Sequence, residues 1–326
     1  MPFTFCGITE QNFEKAKIVF IPIQYDATTS YKAGTRAGPL AILLASSQGL
    51  DEPWGESEWH PAVDDQFFYT IEGLLMPYGS STKEHLDSVY QFIKKEVVAK
   101  NKIPFLLGGE HSLTFPAVKA VFDKNKDFSI LHFDAHTDLR DFYGGDPYSH
   151  ACVLRRSFEL GPKVSLTSVG VRSADRDVRG YIKKTVEKNT KQKSLNMFYV
   201  PLEIPRRETA RADAAGVLSL TGRALEMPVE EIEKTLKPKV YITFDLDAFD
   251  SSLMPAVGTP QPGGLDWYQA TGLLDYVIKR HEIIGMDIVE LAPISGQVAS
   301  EFLAAKLAWK MVEGVYEKSS KRKVQS

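Results

Sequence analysis

Ile130-Leu-His-Phe-Asp-Ala-His-Thr-Asp138 is an apolar run that ends with Asp134, His136 and Asp138 at alternate positions. In extended chain alternate side chains share a face, so these three groups stand together at the end of a strand. Acidic and imidazole groups crowded there repel one another or stay poorly solvated unless a cation gathers them. In open α/β sheets ligands collect beyond the carboxyl ends of the strands, where the connecting loops converge. The stretch therefore predicts both a sheet strand and a metal site at its end.

Working outward, short apolar runs of strand length alternate with longer amphipathic stretches, the pattern of an α/β protein with a mostly parallel sheet. Strands are expected over Ile18 to Ile23, Ile103 to Leu107, Phe128 to Phe133, Ser165 to Val171, Val240 to Phe244 and Ile283 to Val289. Helices are expected over Pro39 to Ser47, Lys83 to Ala99, Phe115 to Phe122, Val229 to Leu236, Trp267 to Lys279 and Ser300 to Lys318, where apolar residues recur at helical spacing. The segment from Ser173 to Arg223, rich in Lys and Arg, reads as an insertion, and 318–326 as a flexible, solvated tail. No linker-like composition divides the 326 residues, so one domain over 1–326 is expected.

A composition of 43% hydrophobic, 25% charged and 11% aromatic residues is that of an ordinary globular protein. The net charge of -3 supplies no positive field for nucleic acid. No stretch is long and apolar enough to span a bilayer, and the first residues lack the pattern of a secretory or transit signal. Two cysteines, Cys6 and Cys152, make no disulfide framework, which fits a reducing, cytoplasmic setting. A small buried thiol is the expected state of Cys152.

Three further strand ends carry polar groups of the same kind. Pro104-Phe-Leu-Leu-Gly-Gly-Glu-His-Ser112 leads through two glycines, which permit backbone geometry other residues resist, into His111. Val240-Tyr-Ile-Thr-Phe-Asp-Leu-Asp247 repeats the alternation with Asp245 and Asp247, and Asp250 follows in the loop. Oxygen and nitrogen donors without thiolate suit Mn, Zn, Fe, Co or Ni, and the carboxylate majority favours a harder ion such as Mn(II). One ion cannot use all six groups, whereas two ions at roughly 3.5 to 4 Å, bridged by a carboxylate from each Asp-rich strand, activate water for hydrolysis at neutral pH. In Ile283-Ile-Gly-Met-Asp-Ile-Val-Glu-Leu-Ala-Pro293, Glu290 has Ile288 and Ala292 at its alternate positions, so a substrate cation is its expected partner. A lone Asp at a strand end more commonly caps a turn or helix. Asp-x-His-x-Asp after one strand and Asp-x-Asp after another form a far more specific signal. His132, one step deeper in its strand, reads as structural, and His60, His85 and His281 read as surface groups.

With these residues in hand the sequence resembles the ureohydrolase family, which includes arginase, agmatinase, guanidinobutyrase and formimidoylglutamase. The resemblance covers most of the chain. It rests on Gly108-Gly-Glu-His-Ser112, Phe133-Asp-Ala-His-Thr-Asp138, Ser149-His150, Phe244-Asp-Leu-Asp-Ala-Phe-Asp250, Gly258-Thr-Pro-Gln-Pro-Gly-Gly264 and Asp287-Ile-Val-Glu-Leu-Ala-Pro293, with Ser30-Tyr-Lys-Ala-Gly-Thr-Arg-Ala-Gly-Pro39 resembling the family's N-terminal loop. It implies a three-layer α/β/α fold, a homo-oligomer (trimer or hexamer), and two manganese ions, one on His111, Asp134, Asp138 and Asp245 and the other on Asp134, His136, Asp245 and Asp247. Asp134 and Asp245 would bridge. It also implies that Glu290 pairs with a small-molecule guanidinium substrate and that His150 carries a proton near the leaving amine.

Glu110 and the step Tyr148-Ser-His150 resemble the agmatinase branch, which implies hydrolysis of agmatine to putrescine and urea. Arg140 stands where arginases have an Asn for the substrate carboxylate, so Arg140 and Tyr148 are expected beside the substrate. Ala151-Cys152 and Ser251-Ser252 depart from the family's commoner residues without removing a ligand. A single-zinc deacetylase-type hydrolase would need adjacent histidines, and none of the seven is adjacent to another. A non-enzymatic metal-containing regulator is favoured only where ligands have been lost, and here the set is complete.

Overall fold

A computed structural model describes residues 3–48, 60–199 and 227–325. The eight strands among them, β1 (Ile18–Pro22), β2 (Phe68–Thr70), β3 (Ile103–Leu107), β4 (Phe128–Phe133), β5 (Val164–Val171), β6 (Leu195–Tyr199), β7 (Lys239–Asp245) and β8 (Glu282–Val289), form one sheet in the order β2-β1-β3-β8-β7-β4-β5-β6. Every neighbouring pair is parallel. Burial on both faces explains why the central strands are nearly continuous apolar runs, with all six residues of β4 buried.

The helices are α1 (Gly38–Ser46), α2 (Pro61–Asp64), α3 (Thr82–Glu96), α4 (Thr114–Lys124), α5 (Val153–Phe158), α6 (Arg176–Val186), α7 (Val229–Lys234), α8 (Trp267–Arg280) and α9 (Ala299–Gln325). Two separate cores place them on opposite faces. Leu273, Val277, Leu307 and Val312 of α8 and α9 pack with Ile42 of α1 and Ile232 of α7 against Phe20, Phe105 and Phe244. Val89, Ile93, Val118, Leu154 and Ile182 of α3, α4, α5 and α6 pack against Val19, Leu106, Ile130 and Leu166. The result is the three-layer α/β/α fold with a parallel central sheet. Local sequence sets the helix starts: the Ser81 side chain accepts from Glu84 N ahead of α3, and Asp266 with Gln269 forms a capping box on α8.

The six expected strands and six expected helices are all present. The two additional strands, β2 and β6, lie at the sheet edges and are short or half-exposed, so neither carries a strong apolar run. Beyond Ser173 the alternation continues as α6 and β6 rather than breaking off, while 200–223, the rest of the segment read as an insertion, lies outside the described residues. Helix α9 continues to Gln325, past the Lys318 expected, and so takes in most of the stretch read as a tail. His60 and His281 are not surface groups. His60 caps α2 by accepting from Ala62 N and packs edge-on against Trp309, and His281 bonds the Lys237 carbonyl at 2.7 Å and Glu233 at 3.1 Å. Each imidazole is buried because it satisfies its polar atoms locally. Among the described residues no helix is long and apolar enough to cross a membrane.

Candidate metal centre

β3, β8, β7 and β4 are consecutive in the sheet, and the four sequence-marked strand ends are theirs. Chain order reverses here: β3 and β4 follow one another in sequence, yet β8 and β7 lie between them. That is a topological switch point, where a crevice opens beyond the strand ends. Register brings the acids level, since Phe133 pairs with Phe244 and Asp245 with Val289. The two glycines before His111 serve close approach rather than unusual dihedrals. A Cβ on Gly109 would stand 1.8 Å from the Tyr25 carbonyl oxygen, and neither Gly108 nor Gly109 has positive φ.

His111 Nδ1 lies 3.2 Å from Asp134 Oδ2, 3.0 Å from Asp138 Oδ2 and 3.3 Å from Asp245 Oδ2. His136 Nδ1 lies 2.9 Å from Asp247 Oδ2 and 3.4 Å from Asp134 Oδ1. The six expected ligands are thus brought together, with one carboxylate oxygen of Asp134 turned to each histidine. Two triads, His111-His132-Asp134 and Asp134-His136-Asp247, each hold their potential ligand atoms within 4.8 Å of one another and share Asp134. In the first triad His132 has both nitrogens engaged, Nε2 by Asp134 Oδ2 at 2.8 Å and Nδ1 by Ser168 Oγ at 3.0 Å. It orients Asp134, which is the structural role expected of it.

The donor set fits a cation on two grounds. His111 Nδ1 is fully buried and makes no hydrogen bond although three carboxylate oxygens surround it. Its Nε2 lies 3.0 Å from Thr243 Oγ1, whose own proton goes to Asp287 Oδ1 at 2.6 Å. Thr243 therefore accepts from Nε2–H, so Nδ1, the nitrogen that faces the carboxylates, is the one left for a metal to take in place of a proton. The second ground is charge. Burial, then Asp247 and Asp134, push the Asp245 carboxyl well above its usual range. Although burial opposes it, Asp247 and Asp134 drive the His136 imidazole up to about 12. Both shifts mark carboxylates that need more positive charge than the histidines supply.

Glu290 stands at the end of β8 with φ 69°, and Asp138 has φ 48°, a left-handed conformation that non-glycine residues adopt at some cost. Glu290 Oε1 accepts from His111 N at 2.6 Å. Burial, then the neighbouring Glu110 carboxylate, push Glu290 up to about 8. A cleft of about 250 Å³ opens over the cluster, lined by His136, Asp138, Asp245, Asp247, Glu290, His150 and Arg140 and by Thr29 to Lys32 of the N-terminal loop. Arg140 pairs with Asp175 at 2.7 Å and lies 4.9 Å from the centre of the Tyr143 ring. Tyr148 is not among the lining residues; its half-buried ring packs 5.8 Å from that of half-buried Phe115 at the edge of the core.

Residues 16–313 match the arginase family. The chain belongs to that family. A relative from Thermus thermophilus named N(1)-aminopropylagmatine ureohydrolase is 35% identical over 93% of this chain and 92% of its own. An agmatinase from Pyrococcus horikoshii is 29% identical over 92% of this chain and 93% of its own. Among solved structures, the agmatine ureohydrolase of Thermoplasma volcanium superposes with a TM-score of 0.71 at 28% identity, over 96% of this chain and 94% of that one. This member of the arginase family is a metal-binding hydrolase of the ureohydrolase type, and its His/Asp cluster is a binuclear metal site.

Several residues that support the centre carried no role in the sequence reading. Asp287 could have been noticed as a carboxylate inside the apolar run of β8. Arg172 follows β5 and donates to the carbonyls of Asp247, Phe249 and Gln261, fixing the loop beyond β7.

Proposed function

We propose that this chain hydrolyses the guanidinium group of a linear amine, with agmatine as substrate and urea and putrescine as products. The observation that carries the reading is Asp134, whose two carboxylate oxygens lie 3.2 Å from His111 Nδ1 and 3.4 Å from His136 Nδ1, so that one side chain serves two cation positions. In this scheme His111, Asp134, Asp138 and Asp245 hold one ion and Asp134, His136, Asp245 and Asp247 the other, both Mn(II), with Ni, Co or Zn as alternatives for the same donors. Such a pair supplies Lewis acidity and an acidified water at neutral pH. Glu290, buried and turned into the cleft, binds the substrate guanidinium through a charge-assisted pair, and the arriving cation returns it to its ionised form. His150, at the cleft wall, gives the departing amine the proton without which it leaves poorly.

The names of the relatives support agmatine or its aminopropyl derivative. Arg140 bears on the same choice, because Asp175 already occupies the guanidinium that a carboxylate-tailed substrate would need. Cys6 and Cys152 are both buried and not joined in a disulfide, which suits a reducing cytoplasm, and assembly with further copies of this chain, as a trimer or hexamer, belongs to the same reading.

The test is urea release by Mn(II)-loaded protein from agmatine, N(1)-aminopropylagmatine, arginine, guanidinobutyrate and free guanidine, with metal content measured on the wild type and Asp134→Ala. Agmatine is expected to give the highest kcat/KM, and a preference for guanidinobutyrate or guanidine would end that assignment. Asp134→Ala is expected to lose both ions. If two ions per chain remained, Asp134 would not be a bridge.

A further inference from the structure

Glu110 is fully buried next to His111, yet its oxygens serve a different set of donors. Thr28 N reaches Oε2 at 2.6 Å, while Thr28 Oγ1 and Ser112 Oγ reach Oε1 at 2.6 and 2.5 Å. The hydroxyl proton of Thr28 is thereby committed to the carboxylate. A threonine hydroxyl has one proton and two lone pairs, so Thr28 Oγ1 can only accept in its remaining contacts. Those contacts are both with His150: the backbone N–H at 3.0 Å and ring Nδ1 at 3.2 Å. Ser149 Oγ also lies 3.2 Å from Nδ1. An unprotonated Nδ1 would set its lone pair against that of Thr28, whereas a protonated Nδ1 donates to both hydroxyl oxygens.

We propose that Glu110, acting through Thr28, locks His150 in the Nδ1–H tautomer and so makes Nε2 the atom that exchanges protons with the cleft. Both residues are positioning residues, and the inference rests on the proton-carrier role given to His150 above. Water adding to the guanidinium carbon releases a proton to Nε2. When the C–N bond then breaks and its electron pair stays on the amine nitrogen, that nitrogen takes the Nε2 proton, and the ring returns to its neutral form with Nδ1–H intact. The remaining hydroxyl proton passes from the new urea oxygen through solvent to the basic amine, which leaves as the ammonium ion. A ring locked in the opposite tautomer would have no acceptor in the cleft for the first step.

The tautomer can be read directly by ¹⁵N NMR of histidine-labelled holoenzyme loaded with diamagnetic Zn(II), with His150→Asn identifying the signal. Wild type is expected to show protonated Nδ1 and bare Nε2. Thr28→Val keeps the branched shape and the backbone bond to Glu110 but removes the acceptor. It should mix the tautomers, shift the pH–kcat limb belonging to His150 and lower kcat by about 10-fold or more, with KM little changed. Thr28→Ser should restore all three. A wild-type ring protonated on Nε2 overturns the proposal regardless of how any variant folds, and so does Thr28→Val with unchanged tautomer and kcat. The expected tautomer together with normal turnover in His150→Asn would uphold the lock while removing the proton-carrier role.

Discussion

Asp134 meets three demands at once. Its Oδ2 bonds His132 at 2.8 Å and lies 3.2 Å from His111, while Oδ1 accepts from His136 N at 2.5 Å. Although burial opposes it, the neighbouring imidazoles of His132, His111 and His136 hold its carboxyl well below the usual range, which keeps it ionised. Glu290 has fewer commitments, and its prediction follows from that. Glu290→Gln keeps an oxygen for the His111 N–H, so metal content should be unchanged, while the loss of the charged partner lowers kcat/KM by about 30-fold or more, roughly 2 kcal/mol. Loss of metal in this variant would make Glu290 a ligand instead. Alternation was enough to single out the acids at 134, 138, 245 and 247 in the sequence, but the chain does not stay extended through them. β4 ends at Phe133, Asp138 has φ 48° and Asp247 lies in a short 3-10 turn beyond β7, so the bends after the strands complete the cluster. The partners that set protonation were not readable in this way. Thr243 and His111 are 132 residues apart and Thr28 and Glu110 82 apart, and only the folded sheet brings them into contact.

Among the elements, the long central strands and amphipathic helices were legible because periodicity and burial coincide there, whereas β2 and β6 were not, since an edge strand needs an apolar pattern on fewer positions. Glycine shows the same division between what is local and what is not. Gly180 sits in α6, where an added Cβ would meet nothing within 4 Å, so Gly180→Ala should gain about 1 kcal/mol from helix propensity and raise Tm. Gly109 follows β3, where a Cβ would meet the Tyr25 carbonyl oxygen that Glu110 N also bonds at 2.9 Å. Gly109→Ala should therefore displace His111 as well as the loop after β1, with loss of bound metal and a lower Tm. Calorimetry and metal analysis on the two variants check both signs, and a neutral Gly109→Ala would mean that the loop yields without moving the cluster.

For the molecule as a whole, the proposed ligands come from the ends of three strands, β3, β4 and β7, that lie in separate parts of the chain. Ligands that bind only the folded state add stability by mass action, so stripping the metal with a chelator should lower Tm by roughly 5 °C or more, reversed by Mn(II). An unchanged Tm would mean that the acids are held by the protein alone. Light scattering on the loaded protein tests the trimer or hexamer, and a monomer would remove that part of the reading.

The strand order has a bearing on how the chain comes off the ribosome. By the time Asp138 has emerged, both β3 and β4 exist, but in the finished sheet they stand three strand spacings apart, about 14 Å. The two strands that fill the interval, β7 and β8, are synthesised last. Until then the nascent chain has two half-sheets with open inner edges, the kind of surface that invites chaperones or mispairing. On the proposed ligand set nothing holds His111 beside Asp134 in that state, so metal capture would close the folding sequence instead of nucleating it, and a chain stalled before residue 239 should emerge without its metal pair.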